Sequence, residues 1–527
     1  MSGLSQGLWP FVRLSGQSDW CSYVKNLEDR VAHLENVLLS HGITDYDGPL
    51  ESLPAAAPPH QMPTAPAVGI ATTASAAVPQ LLVAPLARVA AVGTQPRGPT
   101  ETYSLLDELP YEARAAMPPR DAAEVLTTAY FEHTEFFSPI LSRQSFLDML
   151  NEPTEHSPQD SYRIMIVLAV AGCLLNRKDP SFPISRSEVY YATALRLLAE
   201  NPSLSQGSSI EHLRNYALAI QYCMFQQSLA AAWYLLGHAT RIAIDLGLHL
   251  AGDTLNASSS KADERQWIFW AIYSFERMLC NVLNRPFGLP DEAITVPLPE
   301  TNEQVAHRRA AVHLIRQRRL LSEIHQKQLY NYQWDNDVRS YRSWQLDMRQ
   351  RLHSWYTTSP KLEPGSKLIP ENFWDGTLTN TLVLLLFPWP HLRAVDAEDI
   401  VFLSECASNA VDIYKTSFRE GGLRYYWRTL HHLYRAGAAL VHCIKQMSVC
   451  DTGEVSLSDL RAAVNTCCVV LWGMVERHHS GHNYRDMFDS LSTTLDSVDA
   501  RAHWSPTLPF GDFQDFFSDT FDIGQLE

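Results

Sequence analysis

The chain has 527 residues, 46% of them hydrophobic and only 19% charged, which is enough apolar material for a large packed core. Its formal net charge of −16 argues against the whole chain gripping a polyanion through general positive charge, so contact with nucleic acid would need a local basic element. Nine scattered cysteines make no disulfide framework, the start carries no basic-then-apolar leader, and the apolar run 382–387 is far too short for a bilayer, so the expectation is an intracellular protein with reduced thiols and no membrane partner.

Residues 1–22 form a short N-terminal segment, and residues 23–41 carry a countable heptad. Val24, Val31 and Leu38 fall at one seam position and Leu27 and Leu34 at the other, with Arg30 and Glu35 placed to pair across a parallel partner. The pattern predicts a coiled-coil helix that dimerises the chain. A short amphipathic helix lying on its own domain has the same pattern, and fewer than three heptads are marginal alone. Residues 49–100 change character: ten prolines lie between Pro49 and Pro99 and only Glu51, Arg88 and Arg97 are charged, which predicts a disordered, partly extended linker.

From 121 to 505 the chain reads as helix after helix, with few strand signals and no repeat of fixed period, so the predicted fold class is all-α, an irregular multi-helix regulatory domain. An apolar run over 163–175 predicts a buried helix; further helices are expected over 187–198, 210–226, 304–334, 338–357, 376–387, 397–418, 426–447 and 456–478. Between Ala231 and Pro299 an apolar helix closing on Leu246-Gly247-Leu248-His249 is followed by a tryptophan-rich one and an ITVPLP segment. Trp267 and Trp270, three apart, share a helical face and predict a core stripe, while Arg241 and Arg277 are expected to satisfy carboxylates such as Asp245 and Glu276. The tail, residues 506–527, has no Lys or Arg and alternates acids such as Asp515 and Asp519 with Phe513, Phe516, Phe517 and Phe521. That composition stays solvated by charge while presenting aromatics, either to a partner's groove or to the chain's own helical body.

This central block resembles the middle homology region of fungal zinc-cluster transcription regulators. Trp233, Gly237, Arg241, Gly247 and His249 match the first motif helix; Glu264-Arg265, Trp267, Trp270, Glu276-Arg277, Arg285-Pro286 and Leu298-Pro299 match the second and the turn after it. Glu276 stands where Asp is usual and Asn284 replaces the Gly of Gly-Arg-Pro, changes that keep the charge and the turn tolerance. Tyr130, Phe131, Phe137, Pro139, Ile140, Leu141 and Phe146 resemble the start of the region, so the resemblance spans about 120–300. It implies a nuclear transcription regulator, an activator of one pathway such as a secondary-metabolism gene cluster, acting on promoter DNA and recruiting the transcription machinery through its acidic tail. The competing expectation is an all-α ligand-binding protein or enzyme without a nuclear role.

The resemblance also implies zinc: six thiolates sharing two tetrahedral ions ahead of the coiled coil, with metal binding supplying the folding energy of so small a module. Here Cys21 is the only cysteine before Cys173, so the zinc ligands are absent and no cofactor is expected in this chain. Either a preceding module is missing from the sequence, or the protein reaches DNA through a partner. The densest basic run, HRRAAVHLIRQRRL with Arg308, Arg309, Arg316, Arg318 and Arg319, reads first as a solvated helix face and only second as an import signal or phosphate contact. His478, His479 and His482 lack the carboxylate or thiol that would complete a metal site, and Cys467-Cys468 is not spaced for zinc or redox work. No HExxH, GxxxxGK or GxGxxG is found, and no catalytic residue is assigned.

Overall fold

In a computed structural model, the structure describes residues 115–495 apart from 153–155, 180, 227, 252–258, 301–305, 330–337, 362–371, 388–396, 448–455 and 478–480. All of these belong to one compact unit of the chain, Ala71–Glu527. The heptad residues Val24 to Leu38, the Pro-rich linker and the acidic-aromatic tail lie outside the described residues. Within them there are fourteen α-helices and no strand, so the fold is all-α.

Seven helices build a first hydrophobic core: α1 (Arg120–Thr134), α2 (Arg143–Leu150), α3 (Pro158–Lys178), α4 (Ile184–Glu200), α5 (Ile210–Phe225), α6 (Leu229–Asp245) and α7 (Ser259–Leu283). Six build a second: α9 (Val338–Thr357), α10 (Phe373–Leu386), α11 (Ala397–Arg419), α12 (Tyr426–Met447), α13 (Leu457–Arg477) and α14 (His482–Thr493). Between them runs α8 (Ala306–Leu329), which gives Ala310, Leu314 and Ile315 to the first core and Leu321 and Ile324 to the second. A helix of 24 residues is about 36 Å long, so one continuous element reaches both cores.

Each core contains helices buried on all sides. In the first, α3 is buried continuously from Ile164 to Leu174, as are residues 213–225 of α5 and 267–283 of α7; the start of α3 is fixed by Ser157, whose hydroxyl accepts the Asp160 amide at 3.2 Å, and Pro158 occupies the first turn, where no amide is needed. In the second such a helix is α12, where Ala436, Gly437, Ala438 and Ala439 let neighbouring helices close in. A Cβ added at Gly437 would stand 2.4 Å from the Phe488 ring and 2.7 Å from Cys467 Sγ. The two halves are also pinned at the start of α12 and just before it: Trp427 Nε1 donates to the Met224 carbonyl at 2.9 Å, and the Arg177 guanidinium donates to the Arg424 carbonyl.

The apolar run at 163–175 becomes α3, and the predicted helices 338–357 and 426–447 have those bounds; the short helices α2 and α14 carry too little periodic pattern to be separated in the sequence. Among the described residues no helix is long and apolar enough to cross a membrane. Gly437→Ala forces the Phe488 ring out of its place and is expected to cost about 1–3 kcal/mol, read as a lower urea midpoint at unchanged slope; an unaltered midpoint would show that α14 does not pack on α12 as described.

Candidate functional site

The two motif helices end with the same device. Helix α6 stops at Asp245, and Gly247 takes φ 66°, so that the Leu248 amide reaches back to the Ala243 carbonyl (3.0 Å) and the Gly247 amide to Ile244 (2.9 Å). This left-handed cap satisfies carbonyls that the helix leaves open. Helix α7 stops at Leu283, and Asn284 takes φ 53°, placing the Arg285 amide 3.0 Å from the Cys280 carbonyl. Asn is the residue that tolerates this region best after Gly, which accounts for its place in the turn.

Beyond these caps the chain is tied to itself. The His249 carbonyl accepts the amides of Thr295 (2.9 Å) and Val296 (3.0 Å), so the Leu-Gly-Leu-His segment holds the ITVPLP segment through the backbone. Arg265 Nη2 donates to the Leu246 carbonyl at 2.9 Å, adding a cation at the negative end of α6. Trp270, buried in the first core, donates from Nε1 to the Pro297 carbonyl at 2.9 Å.

Arg277 is the centre of the motif. It is fully buried, with its guanidinium between the rings of Tyr273 (4.2 Å) and Phe287 (4.1 Å). In its plane, Nη1 donates to Glu276 Oε2 (2.5 Å), Nη2 to the Leu289 carbonyl (2.7 Å) and Asp291 Oδ2 (3.3 Å), and Nε to Ser322 Oγ (3.0 Å). The carboxylates are themselves held: Gly288 N–H donates to Glu276 Oε1 at 2.8 Å, and the Tyr273 hydroxyl to Asp291 Oδ1 at 2.6 Å. Burial pushes the Glu276 carboxyl above its ordinary value, and the Arg277 charge pulls it back.

The remaining motif residues support this knot from outside. The Arg285 guanidinium lies 4.2 Å over the half-buried Trp233 ring, and its carbonyl accepts from His325 Nε2 at 3.0 Å in the tautomer that leaves Nδ1 to accept from Asn281. Pro286 is exposed at the turn. Trp267 packs on Ala311 and Val312 of α8, donates to Asp263 Oδ1 at 2.9 Å, and is covered by Arg308, which pairs with the same carboxylate at 2.9 Å. Thus Trp267 and Trp270 are both buried but feed different clusters. Arg241 departs from expectation: it is exposed and donates to the Gly237 carbonyl one turn back at 2.9 Å, because Asp245 points to solvent on the same face and needs no buried partner.

The basic run is not one face. Arg316 and Arg319 are exposed, Arg308 is engaged with Asp263, and Arg318 is turned inward with 2% exposure. The helical period alone divides residues two apart between opposite sides. Of the histidine cluster, His482 opens α14 while His478 and His479 lie outside the described residues; among those described, no group of three or more His, Cys, Asp or Glu is gathered to hold a metal ion. Cys467 is buried and Cys468 half-buried. His431 and His432 are both buried in α12. Where α7, α8, α10 and α12 meet, a small cavity is lined by Arg318, Arg428, Arg435, His432, Asn281 and Thr381 among others, a feature that sequence spacing did not bring together.

Residues 127–357 match the fungal specific transcription factor domain, from the middle of α1 to the end of α9. The chain is similar to the positive regulator of purine utilization of Emericella nidulans, 23% identical over 519 aligned residues that cover 76% of this chain and 49% of that protein. It is also similar to protein STB5 of Saccharomyces cerevisiae (22% identical; 71% of this chain, 54% of that protein) and to the lactose regulatory protein LAC9 of Kluyveromyces lactis (25% identical; 46% and 27%). The chain spans about half the length of the first two.

Two outcomes test the site. Asn284→Gly is expected to be neutral or slightly stabilising, whereas Asn284→Ala, which keeps a Cβ without the local polar group, loses about 1 kcal/mol; equal midpoints for the two variants in chemical denaturation would remove the left-handed cap. Burial holds the imidazoles of His133, His313, His325 and His442 down to about 4, so from about pH 6.5 to about pH 4 the unfolded chain takes up protons that the folded one refuses. Stability is therefore fully present above that window and falls with pH through it. His325→Gln, which keeps the donor to Arg285 and cannot charge, should make that fall shallower by one proton, measured as the pH dependence of the unfolding free energy.

Proposed function

We propose that this chain, which carries the fungal specific transcription factor domain and belongs with the fungal regulators built on it, is a nuclear transcription regulator whose helical body regulates rather than reads DNA. The observation that carries the reading is the domain match over 127–357 together with relatives that are regulators by name. The motif geometry supports the assignment of the body: its residues are spent on caps, ion pairs and ring contacts within the domain.

DNA targeting is then assigned to a zinc module outside this sequence or to a partner, because the clustered six cysteines of such a module are not found here, Cys21 being the only cysteine before Cys173. Val24, Leu27, Val31, Leu34 and Leu38 would make a parallel homodimer, which presents two DNA-reading modules at a fixed spacing. The tail with Phe513, Asp515, Phe516, Phe517, Asp519 and Phe521 would act as the activating segment, its aromatics binding the transcription machinery while its acids keep it in solution. Control of one pathway, including a biosynthetic gene cluster, fits this arrangement. No catalytic role is assigned.

Residues 502–527 fused to a foreign DNA-binding domain should activate a reporter in a fungal host, and substitution of Phe516, Phe517 and Phe521 by Ala should remove most of that activity. Silence from the intact tail would sink the activator assignment. Replacing Leu27 and Leu34 by Asp should convert a dimer to a monomer in sedimentation of the full chain; a monomer before substitution would overturn the dimer.

A further inference from the structure

Several enclosed guanidinium groups find their acceptors within the fold. Arg277 has two carboxylates, and Arg214 pairs with Glu211 at 2.6 Å and with Glu264. The half-buried Arg177 donates to the carbonyls of Arg424 and Phe225. The cavity between α7, α8, α10 and α12 supplies far less. Three arginines line it, and none of its twelve lining residues is Asp or Glu.

Arg318 is the clearest case. At 2% exposure its Nη1 donates to Gln317 Oε1 at 2.9 Å, while Nε and Nη2 are buried without an acceptor. Those two nitrogens share one edge of the guanidinium plane, the edge that grips a carboxylate through two parallel N–H···O bonds. The partners of the other two are poor or neutral: Arg428 reaches only the Met278 sulfur at 3.9 Å, and Arg435 donates to the imidazole of His431. The other polar groups here are already used within the protein, Gln317 Nε2 donating to Thr381 Oγ1 at 2.8 Å and Asn380 Nδ2 to the Tyr414 hydroxyl at 2.6 Å. A guanidinium does not shed its proton, so the charges stay and lack a counter-ion.

We propose that this cavity is a binding site for a small carboxylate anion, gripped by the Nε–Nη2 edge of Arg318 and neutralising Arg428 and Arg435. Its size fits that ligand. The cavity measures about 20 Å³, on a scale where one water-sized atom needs about 10–15 Å³, so it takes one to two atoms of that size, the scale of a carboxylate's oxygens, and the rest of the anion needs some movement of the walls. Burial and the neighbouring Arg428 charge hold the Arg318 guanidinium well below its ordinary value, with no carboxylate to offset them; Arg435 is pushed down to about 10 for want of the same. An anion relieves all three at once. The site stands on this geometry alone and does not depend on the chain being a transcription regulator.

The test is thermal unfolding of the full chain in sodium formate or sodium acetate against sodium chloride at equal ionic strength. The expected result is a saturable rise in Tm with either carboxylate that chloride does not produce, lost in Arg318→Met and retained in Arg316→Met, which alters an exposed position of the same helix. Arg318→Met should also unfold no lower than the parent in chloride, since it removes an uncompensated buried charge. Arg318→Lys keeps the charge without the two-nitrogen edge and should weaken acetate at least tenfold. Carboxylates that do no more than chloride, a shift that survives Arg318→Met, undiminished acetate affinity in Arg318→Lys, or stabilisation by sodium phosphate with none by formate and acetate would each overturn the assignment.

Discussion

Burying the Arg277 charge constrains everything around it. A guanidinium out of reach of water must keep its proton and therefore needs anions, and stripping one partner from such a group leaves an uncompensated charge that costs about 3–5 kcal/mol. One anion, Glu276, is the preceding residue; the other, Asp291, comes from beyond the end of α7 and has to be carried back. The chain can return so soon only by reversing directly after Leu283, which is the work of Asn284 in its left-handed conformation, and by closing Gly288 against Glu276. The acidic-Arg step, the X-Arg-Pro turn and the return through Leu289 to Asp291 are thus one solution to one electrostatic problem, not separate signals.

That solution spans the two cores because its last member is Ser322 on α8, whose hydroxyl bonds both Arg277 and Asp291. Ser322 and Arg318 are four apart and so lie on the same side of α8, one turn from each other. A single turn of helix therefore separates a guanidinium pocket supplied with two carboxylates from one supplied with none. The same sequence can evidently provide acids where a buried arginine needs them, as at Glu276, Asp291, Glu211 and Glu264, so their absence around Arg318, Arg428 and Arg435 is a property of that place and not of the composition.

Much of this was legible in the residues, and the boundary is physical. Long helices announce themselves through period and punctuation: α9 and α12 follow their predicted bounds, and the Gly247 and Asn284 turns were readable because left-handed backbone selects few side chains. The pairing of Arg277 with Glu276 was readable because they are adjacent. Arg241 was misread since a charged residue four from an acid looks the same whether the face is buried or wet, and only the packing of α6 decides that its face is wet. The cavity was beyond reach for a related reason: Arg318 sits within a run of arginines that looks solvated as a block, and its companions Arg428 and Arg435 are more than a hundred residues away on a helix whose crossing with α8 no local pattern encodes.

A consequence follows for what the motif can mean. Most of the strongly specified positions in the 231–299 block are used to hold the block together: Gly247 and Asn284 by conformation, Arg277 by charge, Trp270 by its indole N–H, Trp233 by ring contact, His249 by its carbonyl. Such positions tolerate little change whatever the domain controls, so likeness at them identifies the scaffold and is silent about the signal. What distinguishes one body of this kind from another must then reside in side chains that the scaffold leaves free to vary, and a site whose charges the scaffold does not balance is where such a difference would be expressed most sharply, because beside buried groups each missing counter-charge matters more than at the open surface.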